Sequence, residues 1–332
     1  MPYSLISSTV VKNGNKTTTT TKDYADVTEK VEITTERFDS PGKMTFSVLQ
    51  ENIDDLTVGS KVSFKCDGVK MFKGYIFKRE DTFDGVSSFT AYDQLRYLKA
   101  KASYVFKKRE LRKIIQKIAD DFELKCGSLA KMGYKFPTLV KENESCLDII
   151  FDALERAIIE TGVIYNFYDD FGELTLKEIA YLYTDKLIGD ASLVTDYTYT
   201  QDIDSETYNR VKLVKKNEKS GKTDAYIFQD SDTIAKWGLL QYYDEITEDM
   251  NKAQIKNLCK QYLKYYNRIL KTIKIDAIGI PGLRAGMVVP IRIKSIGINK
   301  VRLLVTEKVT HTFEGGAHTM SLEVKDFKHL KG

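Results

Sequence analysis

The C-terminal segment 283–327 carries the pattern that most restricts the fold, a predicted three-stranded antiparallel meander. Its apolar residues recur at every second position, as they do in strands that have one buried face. Two glycines after Glu314 supply the turn between the second and third strands. The residues that share one parity on each strand are Val289, Ile291 and Ile293, then Val301, Leu303, Val305, Val309, His311 and Phe313, then Met320, Leu322 and Val324.

The same pattern occurs at 56–93, which predicts that one β-domain is present twice in the chain. Residues 56–59 lead into an alternating strand, just as 283–286 do, and the turn at 84–85 corresponds to the turn at 315–316. The alternative is that any two antiparallel meanders look alike at this level. The glycines at the repeated turns are predicted to be structural, since glycine adopts turn conformations at no steric cost. They are Gly59, Gly85, Gly286, Gly315 and Gly316.

The strands upstream of the two meanders extend the match less specifically. Segments 31–33 and 44–48, on either side of a Ser-Pro-Gly turn, resemble 211–213 and 226–228. These segments are therefore predicted to belong to the first and second β-domains respectively. At the N-terminus, a strand, a turn at 13–15 and a threonine-rich return strand are predicted as a hairpin.

Helical periodicity interrupts the strands in two places. Apolar residues from Leu111 to Phe122 fall on one helical face, and Ser145 is a predicted N-cap for a second amphipathic helix that ends at Gly162. A β-hairpin is predicted around 169–172, and a long surface helix at about 249–270.

The predicted fold class is α+β, mainly β, with two antiparallel β-barrel domains and an inserted region of helices and a hairpin. The first barrel domain spans 1–97, and the inserted region spans 98–204. The second barrel domain spans 205–332 and includes the long helix.

Composition indicates an ordinary globular protein and does not predict a polyanionic partner. The chain has 332 residues and a net charge of +4, spread along its length, so charge favours neither nucleic acid nor membrane binding. No stretch approaches the roughly 18 apolar residues of a membrane span, and 1–16 lacks the features of a signal peptide. The expected site of synthesis is the bacterial cytoplasm. The cysteines lack metal-ligand spacing and are expected to be free thiols: Cys66, Cys126, Cys146 and Cys259.

The sequence offers little catalytic chemistry. His311 and His318 flank one predicted turn with acidic residues at 307 and 323 nearby, which makes a metal or acid-base role conceivable. Met320, opposite His311, is apolar, and this favours an ordinary histidine at the rim of a barrel. The acidic pairs at 54–55, 120–121 and 169–170 suit a glycosidase only if they flank a cleft, and solvated turns or helix ends are the simpler interpretation. No cofactor, metal or catalytic residue is predicted.

Three segments carry a family resemblance. Residues 89–98, 282–289 and the pair 311–313 with 318–322 resemble the hub proteins of contractile phage tails. The nearest resemblance is to hubs of PBSX-like defective prophages and of R-type bacteriocins, related to myophage tail hubs and late-control D proteins. The resemblance extends over essentially the whole chain.

This resemblance implies a structural role. Such hubs resemble a tail-tube subunit doubled within one chain, and they assemble as homotrimers that join a six-fold tail tube to a three-fold central spike. The expected partners are two further copies, the tube protein, the spike protein and other baseplate proteins, in a virion or bacteriocin particle released by lysis. Membrane insertion is not expected, and DNA passes through a lumen only if the particle is a phage.

Two other functions remain open from the sequence. One is a tail-associated peptidoglycan hydrolase, which requires a positioned acid or nucleophile in a cleft. The other is a β-module that binds carbohydrate or nucleic acid, for which composition gives little support.

Overall fold

Alternating apolar residues build the N-terminal strands. The structure, a computed structural model, describes residues 2–13, 16–53, 56–190, 192–216, 222–246 and 250–325. In the fifth strand Val62, Phe64 and Cys66 are buried while the residues between them are not. The threonine-rich return strand is confirmed, whereas residues 14 and 15 of its predicted turn lie outside the described residues. The strands are β1 Tyr3–Asn13, β2 Lys16–Asp23, β3 Thr28–Glu36, β4 Lys43–Leu49, β5 Lys61–Cys66, β6 Val69–Asp81 and β7 Val86–Tyr92.

The central region combines two helices with two small sheets. The Ser145 hydroxyl accepts a hydrogen bond from the Asp148 amide at 3.1 Å, so the predicted N-cap is confirmed, and the helix stops at Gly162 in the left-handed conformation. The hairpin predicted around 169–172 is also present. The elements are β8 Lys101–Arg109, α1 Leu111–Asp121, β9 Cys126–Leu129, β10 Phe136–Ser145, α2 Cys146–Thr161, β11 Tyr165–Asp169 and β12 Leu174–Glu178.

The C-terminal part contains the predicted long helix and the meander. A capping box between Asn251 and Gln254 starts the helix. The described helices include none that is long and apolar enough to cross a membrane. The elements are β13 Ile188–Gly189, β14 Val194–Asp202, β15 Arg210–Lys216, β16 Thr223–Gln229, α3 Ser231–Trp237, β17 Gln241–Glu245, α4 Lys252–Tyr266, β18 Leu270–Ile278, β19 Val288–Arg292, β20 Arg302–Glu314 and β21 Ala317–Lys325.

One large sheet runs through most of the molecule, so the predicted fold class, mainly β with antiparallel sheets, is confirmed. Its order is β14-β18-β21-β20-β3-β4-β7-β6-β5-β1-β2, with β19 also paired to β20 and β13 paired to β19. The long strand β20 joins the two halves, because its residues 308–314 pair with β3 on one side while β21 pairs on the other.

Two apolar cores lie along this sheet, one formed by the N-terminal strands and one by the C-terminal strands. Phe313 crosses between them, since it belongs to the C-terminal strand β20 but packs in the N-terminal core against Phe64, at 4.7 Å between ring centroids. Nearby, the buried Arg37 donates to the Glu307 carboxylate at 2.6 Å. The two halves of the sheet are thus held by shared packing as well as by the β20–β3 ladder.

The prediction that 211–213 and 226–228 belong with the C-terminal meander is wrong. These segments lie in β15 and β16, which form a separate three-stranded sheet with β17. One face of this sheet packs on α4, where Val211, Leu213 and Ile255 share a core with several tyrosines. Alternation marks a half-buried strand but not the sheet that it joins, and here a helix covers the buried face.

The predicted single parity of β20 is also wrong at its start. Val301 and Leu303 are 52% and 69% exposed, whereas Leu304 is buried. A β-bulge between Thr306 and Lys308 moves the register by one residue, and a shift of one residue turns side chains to the other face.

Candidate functional site

Two of the three segments that carry the family resemblance meet in one place, where the large sheet contacts the central hairpin β11–β12. Segment 89–98 contributes Asp93 and Gln94, and segment 282–289 contributes Arg284. The hairpin contributes Asp169, which contacts both. We call this set of residues, with Asn166, Ala285 and Gly286, the junction.

Asp93 fixes the end of β7. One carboxylate oxygen accepts from the Leu95 amide at 3.0 Å and starts the 3₁₀ helix Gln94–Lys99, and the other accepts from the Gly42 amide at 2.8 Å. The side chain is 4% exposed. Burial, together with the nearby Asp169 carboxylate, raises the pKa of Asp93 well above its ordinary value. Asp93 therefore clamps the turn at 40–42 to the first meander.

Asp169 is buried, contrary to the solvated interpretation of the acidic pairs. It is 5% exposed, and its carboxylate accepts from the Gln94 side chain at 3.0 Å and from the Gly172 amide at 2.7 Å. Burial raises its pKa. The predicted tight hairpin is present. Its acidic residue Asp169 is nevertheless buried, because a neighbouring element covers the turn. The first residue of the pair thus has a structural role.

Arg284 connects the second meander to this hairpin. Its guanidinium donates to the Asp169 carbonyl oxygen at 2.8 Å and lies 4.0 Å from the centre of the Tyr168 ring. A guanidinium over an aromatic face is attracted by the ring quadrupole, and the positive charge offsets part of the repulsion between the two buried carboxylates. The charge of Arg284 acts to lower the pKa of both Asp93 and Asp169, although burial outweighs it.

The two residues after Arg284 are tied to both neighbours. The Ala285 carbonyl accepts from the Asn166 side chain at 2.9 Å, and the Ala285 amide donates to the Thr35 hydroxyl of β3 at 3.0 Å. Gly286 has φ +84°, and a Cβ at this position would collide with the Asn166 amide. Only glycine therefore suits this position, both by conformation and by space. Three consecutive residues thus join the second meander, β3 and the central hairpin.

The other predicted turn glycines also have positive φ values. The angles are +90° at Gly59, +82° at Gly85, +57° at Gly315 and +78° at Gly316. Nothing lies within 4 Å of a Cβ built at any of these four, so conformation alone distinguishes these positions.

His311 and His318 form a buried chain beside the junction. A carbonyl can only accept, so His311 Nε2–H donates to the Leu283 carbonyl at 2.6 Å, and His311 Nδ1 accepts from His318 Nε2–H at 2.9 Å. Burial lowers the pKa of each histidine to about 4. His311 is 2% exposed, so its predicted place at a barrel rim is wrong. Among the described residues, no group of histidine, cysteine and acidic side chains is arranged to hold a metal ion.

The histidine pair predicts an acid-sensitive stability. Both pKa values fall from 6.5 to about 4 on folding, so the unfolded state binds more protons between these values. The stabilisation is complete above pH 6.5 and is lost as the pH falls toward 4, by roughly 2 kcal/mol for each histidine at pH 4.5. We expect urea unfolding at pH 7.5 and 4.5 to show a larger acid loss in the wild type than in His311→Gln/His318→Gln. Equal losses would contradict this assignment.

The acidic pair at 120–121 has ordinary surroundings. Asp120 and Asp121 end α1, and Asp121 accepts from the Tyr104 hydroxyl at 2.9 Å and from Lys117. Residues 54 and 55 lie outside the described residues, as does His329. Most hydrogen bonds of the junction join a side chain to a backbone group, which suits the positioning of chain segments rather than the activation of a substrate.

Known proteins share the sequence and the fold of this chain. The family described as YQBQ-like matches residues 31–325. The chain is 33% identical over 305 residues to the uncharacterized protein YqbQ of Bacillus subtilis strain 168, covering 90% of this chain and 92% of that protein. It is 32% identical, with the same coverage of 90% and 92%, to the phage-like element PBSX protein XkdQ of that bacterium. The solved tail protein of Neisseria meningitidis MC58 has a TM-score of 0.69 at 12% identity, covering 98% of this chain and 97% of that one.

Proposed function

The chain belongs to the YQBQ-like family, and on that premise we propose that it is a baseplate hub that joins a tail tube to a central spike. The resemblance to phage tail proteins drawn from the sequence is confirmed, because one relative is a protein of the phage-like element PBSX and the fold is that of a tail protein. A structural role in a phage tail or baseplate follows. The hub position, the homotrimer and the duplicated barrel are the further steps that we propose.

The two meanders make the same set of backbone hydrogen bonds, and this single observation carries the proposal. In the first, the Gly59 amide donates to the Ile76 carbonyl at 2.8 Å, and the Ile76 amide donates to the Ser60 carbonyl at 2.9 Å. In the second, the Gly286 amide donates to the Thr306 carbonyl at 2.7 Å, and the Thr306 amide donates to the Met287 carbonyl at 2.9 Å. The glycine turns predicted to correspond thus bind corresponding places on their long strands.

The β-bulges agree with this correspondence. The register of β6 against β7 shifts between Ile76 and Lys78, and that of β20 against β21 shifts between Thr306 and Lys308. A bulge is a specific local feature that two unrelated meanders have no reason to share at matched positions. The bulges therefore support a duplication over a chance likeness of two β-meanders.

Strand order extends the correspondence to six strands in each unit. The orders are β3-β4-β7-β6-β5-β1 and β14-β18-β21-β20-β19-β13. The last pair is antiparallel in the first unit and parallel in the second. In this proposal β14 and β18 are the counterparts of β3 and β4, and the chain between them, with the small sheet and α4, is an insertion. The domain boundaries at 97/98 and 204/205 stay predictions, and this proposal moves β13 and β14 into the second unit.

A duplicated unit gives a physical reason for the trimer. Three chains with two similar units each present six units to a six-fold tube, while the chain as a whole repeats three times toward a spike. The β20–β3 ladder holds the two units of one chain in a fixed relation. Among the described strands, the outer strands β2 and β14 are each paired along one edge only, and an unpaired edge favours pairing or packing with a neighbour.

Sedimentation velocity of the purified full chain tests the trimer. We expect a species of three times the 37.9 kDa chain mass that dissociates on dilution. A monomer at all concentrations, unaffected by tube or spike protein, would overturn the hub proposal.

We also infer that the role is not enzymatic. The buried acids of the junction and the neighbouring His311 are engaged in hydrogen bonds that position backbone. In a zymogram on bacterial cell walls, we expect no cleared band at the position of this chain. Clearing that disappears in the Glu155→Gln variant, which changes an acid of α2 that lines a cavity of about 470 Å³, would instead support the alternative of a peptidoglycan hydrolase.

A further inference from the structure

The positive charge of the chain is concentrated in the central region, although the whole chain has a net charge of only +4. Segment 99–135 holds eleven lysines and arginines against four acidic residues. The sequence-based view that charge is spread evenly is therefore wrong at this point. Ten of the eleven cations are exposed and only Arg112 is half-buried, so the region displays its charge to the solvent.

The basic side chains converge at one end of the β8–β10 ribbon. Arg109 pairs with Phe136 in the ladder, and Arg112 binds Glu110 at 2.8 Å. The charges of Arg112, Lys131 and Lys135 all lower the pKa of Glu110, which places them around this one carboxylate. We call the group the basic cluster: Lys107, Lys108, Arg109, Arg112, Lys131 and Lys135.

An acidic cavity lies elsewhere on the same chain, between α2, the ends of β3 and β21, and the middle of β20. It has a volume of about 340 Å³. Arg37, Arg268, Lys308 and Lys325 also line it, and ion pairs within the cavity join Arg37 and Lys325 to Glu307 and Lys308 to Glu36. Its acidic residues include Glu36, Asp39, Asp152, Glu155, Glu206 and Glu323.

The acidic cavity has an excess of negative charge. Burial and then the surrounding carboxylates, Asp148, Asp152, Glu206 and Glu36, raise the pKa of Asp39. Neither Asp39 nor Glu206 has a salt bridge within the described part of the chain. Cations brought to this cavity would relieve repulsion that the chain itself leaves in place.

The two clusters lie on different elements of the chain. The cavity is lined by residues of β3, α2, α4, β20 and β21 and of loops, and none of these residues comes from segment 99–135. The basic cluster lies on β8, at the start of α1 and just before β10. No ion pair among the described residues joins the clusters. Complementary patches at different places on one chain are the requirement for a head-to-tail contact between copies, which closes into a ring when the rotation fits.

We propose that the basic cluster of one copy docks against the acidic cavity of the next copy and so forms the trimer interface. This inference rests on the proposed hub function. Opposite charges across such an interface speed the association of two copies and fix their relative orientation. Salt weakens this attraction, because the screening length falls from about 10 Å at 0.1 M to about 3 Å at 1 M. The trimer is accordingly salt-sensitive.

Charge reversal tests the interface. We expect Lys131→Glu/Lys135→Glu to raise the trimer dissociation constant at least about tenfold in 0.1 M salt. The matched control is Lys252→Glu/Lys256→Glu, which changes the net charge equally at exposed positions on α4 and should leave the trimer intact. Adding Glu206→Lys/Glu323→Lys to the first pair reverses both clusters and should restore assembly. Circular dichroism and the thermal midpoint establish that each variant is folded.

The outcomes separate this inference from the hub proposal. The interface is supported if Lys131→Glu/Lys135→Glu weakens the trimer and the variant with all four substitutions restores it. A wild-type trimer that the reversal leaves unchanged overturns the interface but not the hub. If the unchanged trimer also loses retention on heparin, the basic cluster serves a separate polyanion instead. A wild type that never trimerises overturns the hub proposal and the interface with it.

Discussion

Replacing Arg284 by alanine is expected to lower the free energy of unfolding by about 3 kcal/mol. The variant loses the hydrogen bond to the Asp169 carbonyl and the contact with the Tyr168 ring. It also removes the cation that partly offsets the repulsion between the buried Asp93 and Asp169 carboxylates. Urea unfolding at pH 7 measures the loss directly.

Two further variants identify the cause of this loss. Arg284→Lys keeps the charge but not the planar group, so we expect an intermediate loss. Arg79→Ala removes an arginine whose partner, Asp81, is half exposed, and exposed pairs contribute at most about 1 kcal/mol. Equal effects of Arg79→Ala and Arg284→Ala would show that the junction does not hold the hairpin.

Replacing Phe313 by alanine is expected to lower the free energy of unfolding by about 3–5 kcal/mol, the usual cost of truncating a buried phenylalanine. The ring is 1% exposed and stacks on His318 at 4.1 Å between centroids, as well as packing against Phe64. Because it crosses from the second meander into the first core, we expect its loss to weaken both halves of the sheet. Hydrogen exchange of β3 and β20 amides reports this coupling.

Phe83→Ala is the matched control. Phe83 is fully exposed, so its truncation leaves no cavity and should change stability by less than about 0.5 kcal/mol. If Phe313→Ala accelerates exchange only in β20 and β21 while β3 stays protected, the two halves are independent, contrary to the continuous sheet described above.

Local patterns were sufficient to predict much of the secondary structure. Alternation located β5–β7 and β19–β21, and the helical period located α1, α2 and α4. These predictions succeeded because period, capping residue and turn glycine are properties of neighbouring residues. Ser145 and Gly162, which begin and end α2, are the clearest example.

Long-range pairing was not available from the same patterns. The β20–β3 ladder joins residues such as Thr310 and Thr34, which are 276 positions apart, and strand alternation contains no record of the partner. The β-bulge at Thr306 and the separate sheet that contains β15 were not predicted for the same reason.

The sequence indicated two segments of the junction but not the contact between them. Segments 89–98 and 282–289 were singled out, but nothing in either one indicated that they meet at Asp169. Only the fold brings these segments together. Asp169 is buried because they cover it, and this burial raises its pKa.

Electron microscopy of the purified chain, alone and mixed with a candidate tail tube protein, tests the duplicated-unit hub most directly. We expect a three-fold ring with a central hole, one face of which shows six similar densities and stacks on the tube. Discrete monomers, or a ring whose two faces both repeat only three times and do not bind the tube, would contradict the account.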